Sequence, residues 1–341
     1  MARDKQRLRA EVAIALSLLL SSNAIARGPR PSQALPSPDK PMQVIRSEAD
    51  LVVLPVSVTD HRGNFVPGLT AEDFHVYENG QLQSISQFTP SDIPVTAGLV
   101  IDSSASMAAD RPEVARAAKD FVASSNSQDQ IFVINFNERV SLGLPAGVPF
   151  TSNVAQLESA VLRGPSTGMT ALYDAISLAL KHLALGTEEK KALIIISDGD
   201  DNASHRSLKQ VLNMALHSNA ILYTIGIFRD EEDDMNPGVL RKLAQVTGGR
   251  AFFPDSAADL KAICREIARD LREQYTLAYV PADAALAGGY RTIRVSVHAP
   301  GKRSLIVRTR TGYIARPDLP ETYVPDPGER IRPTGSSNPE T

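Results

Sequence analysis

Two rhythms of apolar and polar residues alternate along this chain. Residues 51–58 (Leu-Val-Val-Leu-Pro-Val-Ser-Val) predict a strand, and Asp60-His61-Arg62-Gly63-Asn64 supplies turn residues behind it. Phe74–Tyr77 and Ser84–Phe88 alternate with a period of two. Asn79-Gly80 between them is the dipeptide of a type I′ hairpin, which needs two residues with positive φ. From Val95 the rhythm changes. Val95–Ile101 is almost wholly apolar, as a parallel strand covered on both faces should be. Val114, Ala117, Ala118, Phe121 and Val122 then recur at helical spacing behind Asp110 and Pro112, a cap and a first-turn proline. The same logic predicts strands at Gln130–Phe136, Ala192–Ile196, Ala220–Ile227 and Ala251–Phe253, with a short edge strand at Arg139–Leu144. Helices are predicted at Leu172–Leu183, Leu208–Leu216, Val239–Val246 and Ala257–Arg272. Alternation returns at Tyr275–Val280, Arg291–His298 and Ser304–Arg310, with Tyr313 closing the last segment.

Strands alternating with helices over residues 93–273 imply an α/β domain, Rossmann-like, with a doubly wound, mostly parallel sheet. The β-rich segments 47–92 and 274–316 are each too small to hold a good core. They read as one small antiparallel β-sandwich, split in sequence, into which the α/β domain is inserted. At the start, Arg3, Lys5, Arg7 and Arg9 precede Val12–Leu20, an apolar stretch too short to span a bilayer, and Ala24-Ile25-Ala26. Residues 1–26 are therefore expected to be a secretory signal peptide cut after Ala26, the alternative being an uncleaved membrane anchor; cleavage places the protein in the periplasm or outside the cell, with no membrane span. Residues 27–46, with Pro29, Pro31, Pro36, Pro38 and Pro41, read as a linker, and 317–341 as a disordered tail.

Composition narrows the function. The 341 residues carry a net charge of −3 and no basic stripe interleaved with aromatics, which argues against nucleic acid as a partner. The single cysteine, Cys264, falls on the apolar face of Leu260, Ile263, Ile267 and Leu271, so a buried thiol is expected and a disulfide framework is excluded. The six histidines contain no H-x-x-x-H pair, the G-x-S-x-G at Gly164–Gly168 does not follow a predicted strand as a nucleophile elbow must, and no base sits beside Cys264. The sequence does not read as an enzyme.

What remains is a set of oxygen donors. Asp102-Ser103-Ser104-Ala105-Ser106 follows the first buried strand, Gly168-Met169-Thr170 precedes a helix, and Ser197-Asp198-Gly199 closes a second buried strand. In an open α/β sheet ligands bind beyond the carboxyl ends of the strands, where the winding reverses. Hydroxyls and carboxylates, with nothing softer, suit a hard divalent cation. Singly, Ser104 or Ser106 would be a loop hydrogen bonder, Thr170 a helix cap and Asp198-Gly199 a turn. Asp200 and Asp201 rim such a site or stay solvated. Asp198–Asn202 lacks the glycine and glutamate of an EF-hand, Gly164–Thr170 lacks the lysine of a phosphate loop, and Asp230–Asp234 reads as a solvated charge run.

Asp-x-Ser-x-Ser, a separate Thr and Ser-Asp-Gly, in this order at these strand ends, resemble the metal-ion-dependent adhesion site (MIDAS) of von Willebrand factor type A domains over residues 93–273. Val58-Thr59-Asp60, Gly68–Phe74, Tyr77–Gly80 and Gly312-Tyr313 resemble exported bacterial VWFA-related proteins, in which such a domain sits within a β-sandwich. The resemblance implies that Ser104 and Ser106 give hydroxyls to Mg2+ (or Mn2+), and that Thr170 binds directly or through water. Asp102 and Asp198 would hold bound waters. It implies a protein partner that offers an Asp or Glu carboxylate, hence a metal-dependent, adhesion-like binding module. The alternatives are an envelope scaffold with a structural metal, and a metal-dependent hydrolase using Asp200, Asp201 or His205 as base. One position departs: Ala105 stands where many such sites have Gly, and a positive φ there would be strained.

Overall fold

The computed structural model describes residues 51–90, 92–228, 236–282, 289–302 and 304–315. All of them lie in the unit Glu48–Thr341. The expected signal peptide at 1–26, the linker at 27–46, the run Asp230–Asp234 and the tail at 317–341 lie outside the described residues. In chain order the first strands are β1 (Val52–Thr59), β2 (Phe74–Glu78), β3 (Gln81–Gln83) and β4 (Ile85–Thr89). Next come β5 (Val95–Asp102), α1 (Arg111–Ala123), β6 (Gln130–Phe136), β7 (Val140–Leu142), α2 (Val154–Val161), α3 (Leu172–Leu183) and β8 (Lys190–Ser197). They are followed by α4 (Leu208–His217), β9 (Ala220–Gly226), α5 (Pro237–Thr247), β10 (Ala251–Phe252) and α6 (Leu260–Glu273). The last strands are β11 (Tyr275–Tyr279), β12 (Tyr290–Val297), β13 (Ile306–Arg308) and β14 (Gly312–Ile314).

The middle elements build a six-stranded sheet in the order β10-β9-β8-β5-β6-β7. Its pairings are parallel except for edge strand β7, which runs antiparallel to β6. Every residue of β5 is buried, which is what its unbroken apolar run required. Each fully buried Leu, Ile or Val contributes about 1.5–3 kcal/mol over its exposed state, and β5, β6, β8 and β9 supply many of these residues. Helices α1, α2 and α6 pack together on one face, and α3, α4 and α5 on the other. Cys264 lies in this core, and burial pushes its thiol up to about 12. α2 is an element that the apolar pattern was not used to predict. It starts at Asn153, whose side chain caps the amide of Gln156, and it buries Leu157, Ala160 and Val161.

The strands before and after this domain form two antiparallel sheets, β13-β1-β11-β4 and β14-β12-β2-β3, which share one core. Leu54, Val56, Val76, Leu277 and Tyr279 are wholly buried there. The Asn79-Gly80 turn has φ of +48° and +82°, as a type I′ hairpin requires. The chain leaves that hairpin early. β3 ends at Gln83, and Ser84–Phe88 does not pair with β2: β4 crosses to the other sheet and pairs with β11.

A buried polar seam joins sandwich and α/β domain. Asp270 of α6 accepts hydrogen bonds from Ser57 Oγ of β1 (2.6 Å) and Tyr223 Oη of β9 (2.9 Å), and pairs with Arg308 of β13. Arg308 also donates to the carbonyl of Gly248.

Candidate metal centre

The winding of the sheet reverses between β5 and β8, because β6 lies on one side of β5 and β8 on the other. Asp102 ends β5, and Asp198 follows the last residue of β8. Both carboxylates therefore lie at the switch point where a crevice opens. They are 1% and 5% exposed, respectively.

A chain of short contacts links them. Asp102 Oδ1 accepts from the Ser104 amide at 2.8 Å, and Asp102 Oδ2 from Ser197 Oγ at 2.6 Å. Ser104 Oγ and Ser106 Oγ lie 3.1 Å apart. Ser106 Oγ donates to Asp198 Oδ2 at 2.6 Å, and Asp198 Oδ1 accepts from the Asp200 amide at 3.1 Å. Four of the five expected residues thus form one cluster. Among the described residues, no lysine or arginine forms an ion pair with Asp102 or Asp198. Burial pushes the Asp102 carboxyl up to about 6, and the Asp198 charge acts in the same direction against the hydrogen bonds from Ser104 and Ser197.

Thr170 is tied by its backbone to the loop that follows Asp198. Its amide donates to Asn202 Oδ1 (2.8 Å), and its carbonyl accepts from the amides of Asn202 and Ala203 (3.0 Å each). The serine loop is tied to the same segment by Ala105 N to Gly168 O (3.2 Å) and Thr167 N to Ser103 O (3.0 Å). Thr170 is not the cap of α3. The first amides of that helix go instead to Asp201 Oδ1, from Tyr173 (3.1 Å), and to Ser204 Oγ, from Asp174 (3.0 Å). The threonine hydroxyl is left for another task, and it makes no hydrogen bond among the described residues.

Local conformation explains these loops. Ala105 sits at φ −62° and ψ −39°, ordinary right-handed geometry, so alanine costs nothing there and the expected strain does not arise. The positive φ falls at Gly168 (+84°), where a Cβ would also run into the Glu138 carboxylate. It falls again at Gly199 (+83°), where a Cβ would meet the carbonyl of Asn236 at 2.9 Å.

Several positioning residues were not singled out from the sequence. Ser197 holds Asp102, and Asn202 holds Thr170. Arg111, buried in the first turn of α1, donates to Ser166 Oγ (2.6 Å) and to the carbonyls of Val161 and Arg163, which anchors the segment leading to Thr170. Ser197 and Asn202 lie within or beside the Ser-Asp-Gly motif, so motif proximity could have pointed to them. Nothing in the sequence around Arg111 signals its long-range contacts. The groups considered as a hydrolase base are engaged elsewhere: His205 Nδ1 contacts Asp174 Oδ2 (3.1 Å), Asp201 caps α3, and Asp200 Oδ2 accepts from Asn202 (2.8 Å).

The donor set fits a hard cation. It offers hydroxyl and carboxylate oxygens, and among the described residues no three His, Cys, Asp or Glu side chains gather anywhere. An ion here would rely on serine and threonine oxygens, and it would supply the positive charge that the two buried carboxylates lack.

Comparison with known proteins bears on the fold. Residues 98–266 match the family model for the von Willebrand factor type A domain. Among solved structures, a von Willebrand factor type A protein from Catenulispora acidiphila is 15% identical with a TM-score of 0.49, over 72% of this chain and 74% of that one. The vWF domain of the pilus tip protein Mfa5 from Porphyromonas gingivalis is 14% identical with a TM-score of 0.42, over 53% and 95%. Proximal thread matrix protein 1 from the mussel byssus, solved with zinc in its MIDAS motif, is 15% identical with a TM-score of 0.44, over 53% of this chain and 48% of its own. No curated protein matches the chain. With its mostly parallel six-stranded sheet and helices on both faces, the segment 98–266 that matches this family model has the fold of a von Willebrand factor type A domain.

Proposed function

We propose that the cluster is a metal-ion-dependent adhesion site. Asp102, Ser104, Ser106, Thr170 and Asp198 hold a divalent cation, Mg2+ or Mn2+, and the loaded site captures a carboxylate from a protein partner. The observation that carries this reading is a pair of buried carboxylates at the switch point, linked by two serine hydroxyls and paired with no cationic side chain among the described residues. Such a pair is costly in the bare protein and favourable around a cation. Neutral hydroxyls quench the ion's charge poorly, so it retains affinity for a further anionic oxygen. Type A domains are commonly protein-interaction modules, which agrees with this chemistry. On this reading the protein works after export, in the periplasm or beyond it. No helix among the described residues is long and apolar enough to cross a membrane.

Titration calorimetry of MgCl2 and MnCl2 into the full chain tests the metal. One saturable site is expected, weakened about tenfold or more in Ser104→Ala/Ser106→Ala, since each lost ligand costs on the order of 1 kcal/mol. Identical isotherms for wild type and variant would reject the assignment. For the partner, proteins of an envelope extract should be retained in Mg2+, released by EDTA, and not captured by Asp198→Ala with an unchanged thermal transition. Retention that ignores EDTA would remove the metal from the interaction.

A further inference from the structure

A second feature lies away from the strand ends, between the α/β domain and the sandwich. α5, the segment Gly248–Phe253, β12 and the stretch Val307–Thr311 border a cleft of about 650 Å3. Four arginines line it, Arg241, Arg294, Arg308 and Arg310, and no Asp or Glu does. In a chain of net charge −3 this is a local excess of positive charge.

The four differ in how they are satisfied. Arg308 is neutralised by Asp270 in the seam. Arg310 is 4% exposed and donates to the carbonyls of Leu216, Ser218 and Gly312. These are dipoles, not counter-charges. Burial lowers its guanidinium to about 10, which leaves it charged at neutral pH. Arg241 and Arg294 are exposed and lie over aromatic rings, 4.4 Å from the centroid of Phe253 and 4.0 Å from that of Tyr77. Neither forms an ion pair among the described residues. Ring contacts of this kind hold a guanidinium in place while its N–H groups remain available. Two exposed guanidiniums, Arg241 and Arg294, thus line one concavity with the buried charge of Arg310 behind them, and such a concavity attracts anions.

Shape narrows the ligand. The cleft is many times larger than one carboxylate or phosphate. Apolar surface from Ala244, Val295 and Val307 separates the arginines. Two short edge strands, β10 and β13, border the cleft and offer main-chain partners. Spaced guanidiniums, apolar intervals and strand edges suit an extended peptide whose side chains carry carboxylates.

We propose that this cleft docks an acidic segment of a partner protein, an extended stretch bearing several Asp or Glu carboxylates, independently of the metal centre. The probe is a fluorescein-labelled peptide of alternating Glu and Ala, titrated by anisotropy against the full chain at low salt. Saturable binding is expected, weakened about tenfold or more in Arg241→Glu/Arg294→Glu and less in Arg241→Lys/Arg294→Lys. Both side chains are exposed, so the fold survives, and circular dichroism checks this. Affinity should be unchanged by EDTA and by Asp198→Ala, so failure here and failure of the metal centre are separable.

Five outcomes overturn the proposal. One is no binding. A second is equal affinity in the charge-reversed variant. A third is binding abolished by EDTA, which would place the peptide on the metal. The fourth is displacement by a short single-stranded DNA at equal concentration, which would make the cleft a general polyanion seat. The chain's own carboxylates at Asp318, Glu321 and Asp326 are a rival occupant. Binding that appears only in Asp318→Asn/Glu321→Gln/Asp326→Asn would assign the cleft to them instead.

Discussion

Buried carboxylates occur at two places in this protein, and they are handled in opposite ways. In the seam, Asp270 is 1% exposed and meets Arg308, a serine hydroxyl and a tyrosine hydroxyl. The sandwich repeats the pattern: Glu78 pairs with Arg291 at 2.7 Å and accepts from the hydroxyls of Tyr279 and Tyr313. At the strand ends, Asp102 and Asp198 are as deeply buried but have only neutral donors around them. Taking an ion out of water costs several kcal/mol unless a counter-charge accompanies it. Where the chain supplies that counter-charge, the cluster joins elements together. Where it does not, the function proposed above has a cation supply that charge from outside.

The largest expected effect is on the compensated side. Arg308→Met strands Asp270 without its cation and should lower unfolding stability in urea by about 3 kcal/mol or more. Mg2+ affinity should be untouched. Lost metal binding with unchanged stability would collapse the contrast. The second effect has the opposite sign. Asp102→Asn removes an uncompensated charge, so in EDTA its stability should equal the wild type's or exceed it by about 1 kcal/mol. The rise in Tm that Mg2+ gives the wild type should vanish with it. A loss in EDTA comparable to that of Arg308→Met would make Asp102 a structural residue.

The contrast also explains what could be read in the sequence. The α/β alternation and the residues of the strand-end cluster were legible because each depends on local order: an apolar run or a motif. Even there, Ala105 takes ordinary right-handed geometry and the positive φ lies at Gly168, since backbone shape follows from how the serine and threonine loops bond to each other. The departure of β4 from the hairpin was hidden for a similar reason. Ser84–Phe88 alternates equally well in either sheet, and the choice rests on Phe88 and Ile85 packing into the shared core. The compensated clusters were invisible: Ser57, Asp270 and Arg308 lie 213 and 38 residues apart along the chain. No spacing rule connects such positions. Arg111 escaped notice in the same way.

The smallest effect tests the mirror case, a buried cation without a carboxylate. β8 carries both kinds, since it begins at Lys190 and its end leads into Asp198. Lys190 is wholly buried, and its Nζ donates to the carbonyl of Leu271 at 2.8 Å, near the C-terminal end of α6, where the helix dipole favours positive charge. Burial nevertheless lowers its ammonium from 10.5 to about 8, against the attraction of Asp270, Asp92 and Asp129. Below pH 8 both folded and unfolded chains hold this proton, and the full penalty applies. Between about 8 and 10.5 the unfolded chain holds a proton that the folded chain has released, so stability rises with pH across that window and levels off above it. Urea unfolding of wild type and Lys190→Met at a series of pH values should therefore show the wild type gaining on the variant as pH climbs through the window. A difference that stays constant with pH would mean that the three nearby aspartates already neutralise Lys190. The rule that an unpaired buried charge marks a vacancy for an ion would then hold for the strand-end carboxylates alone.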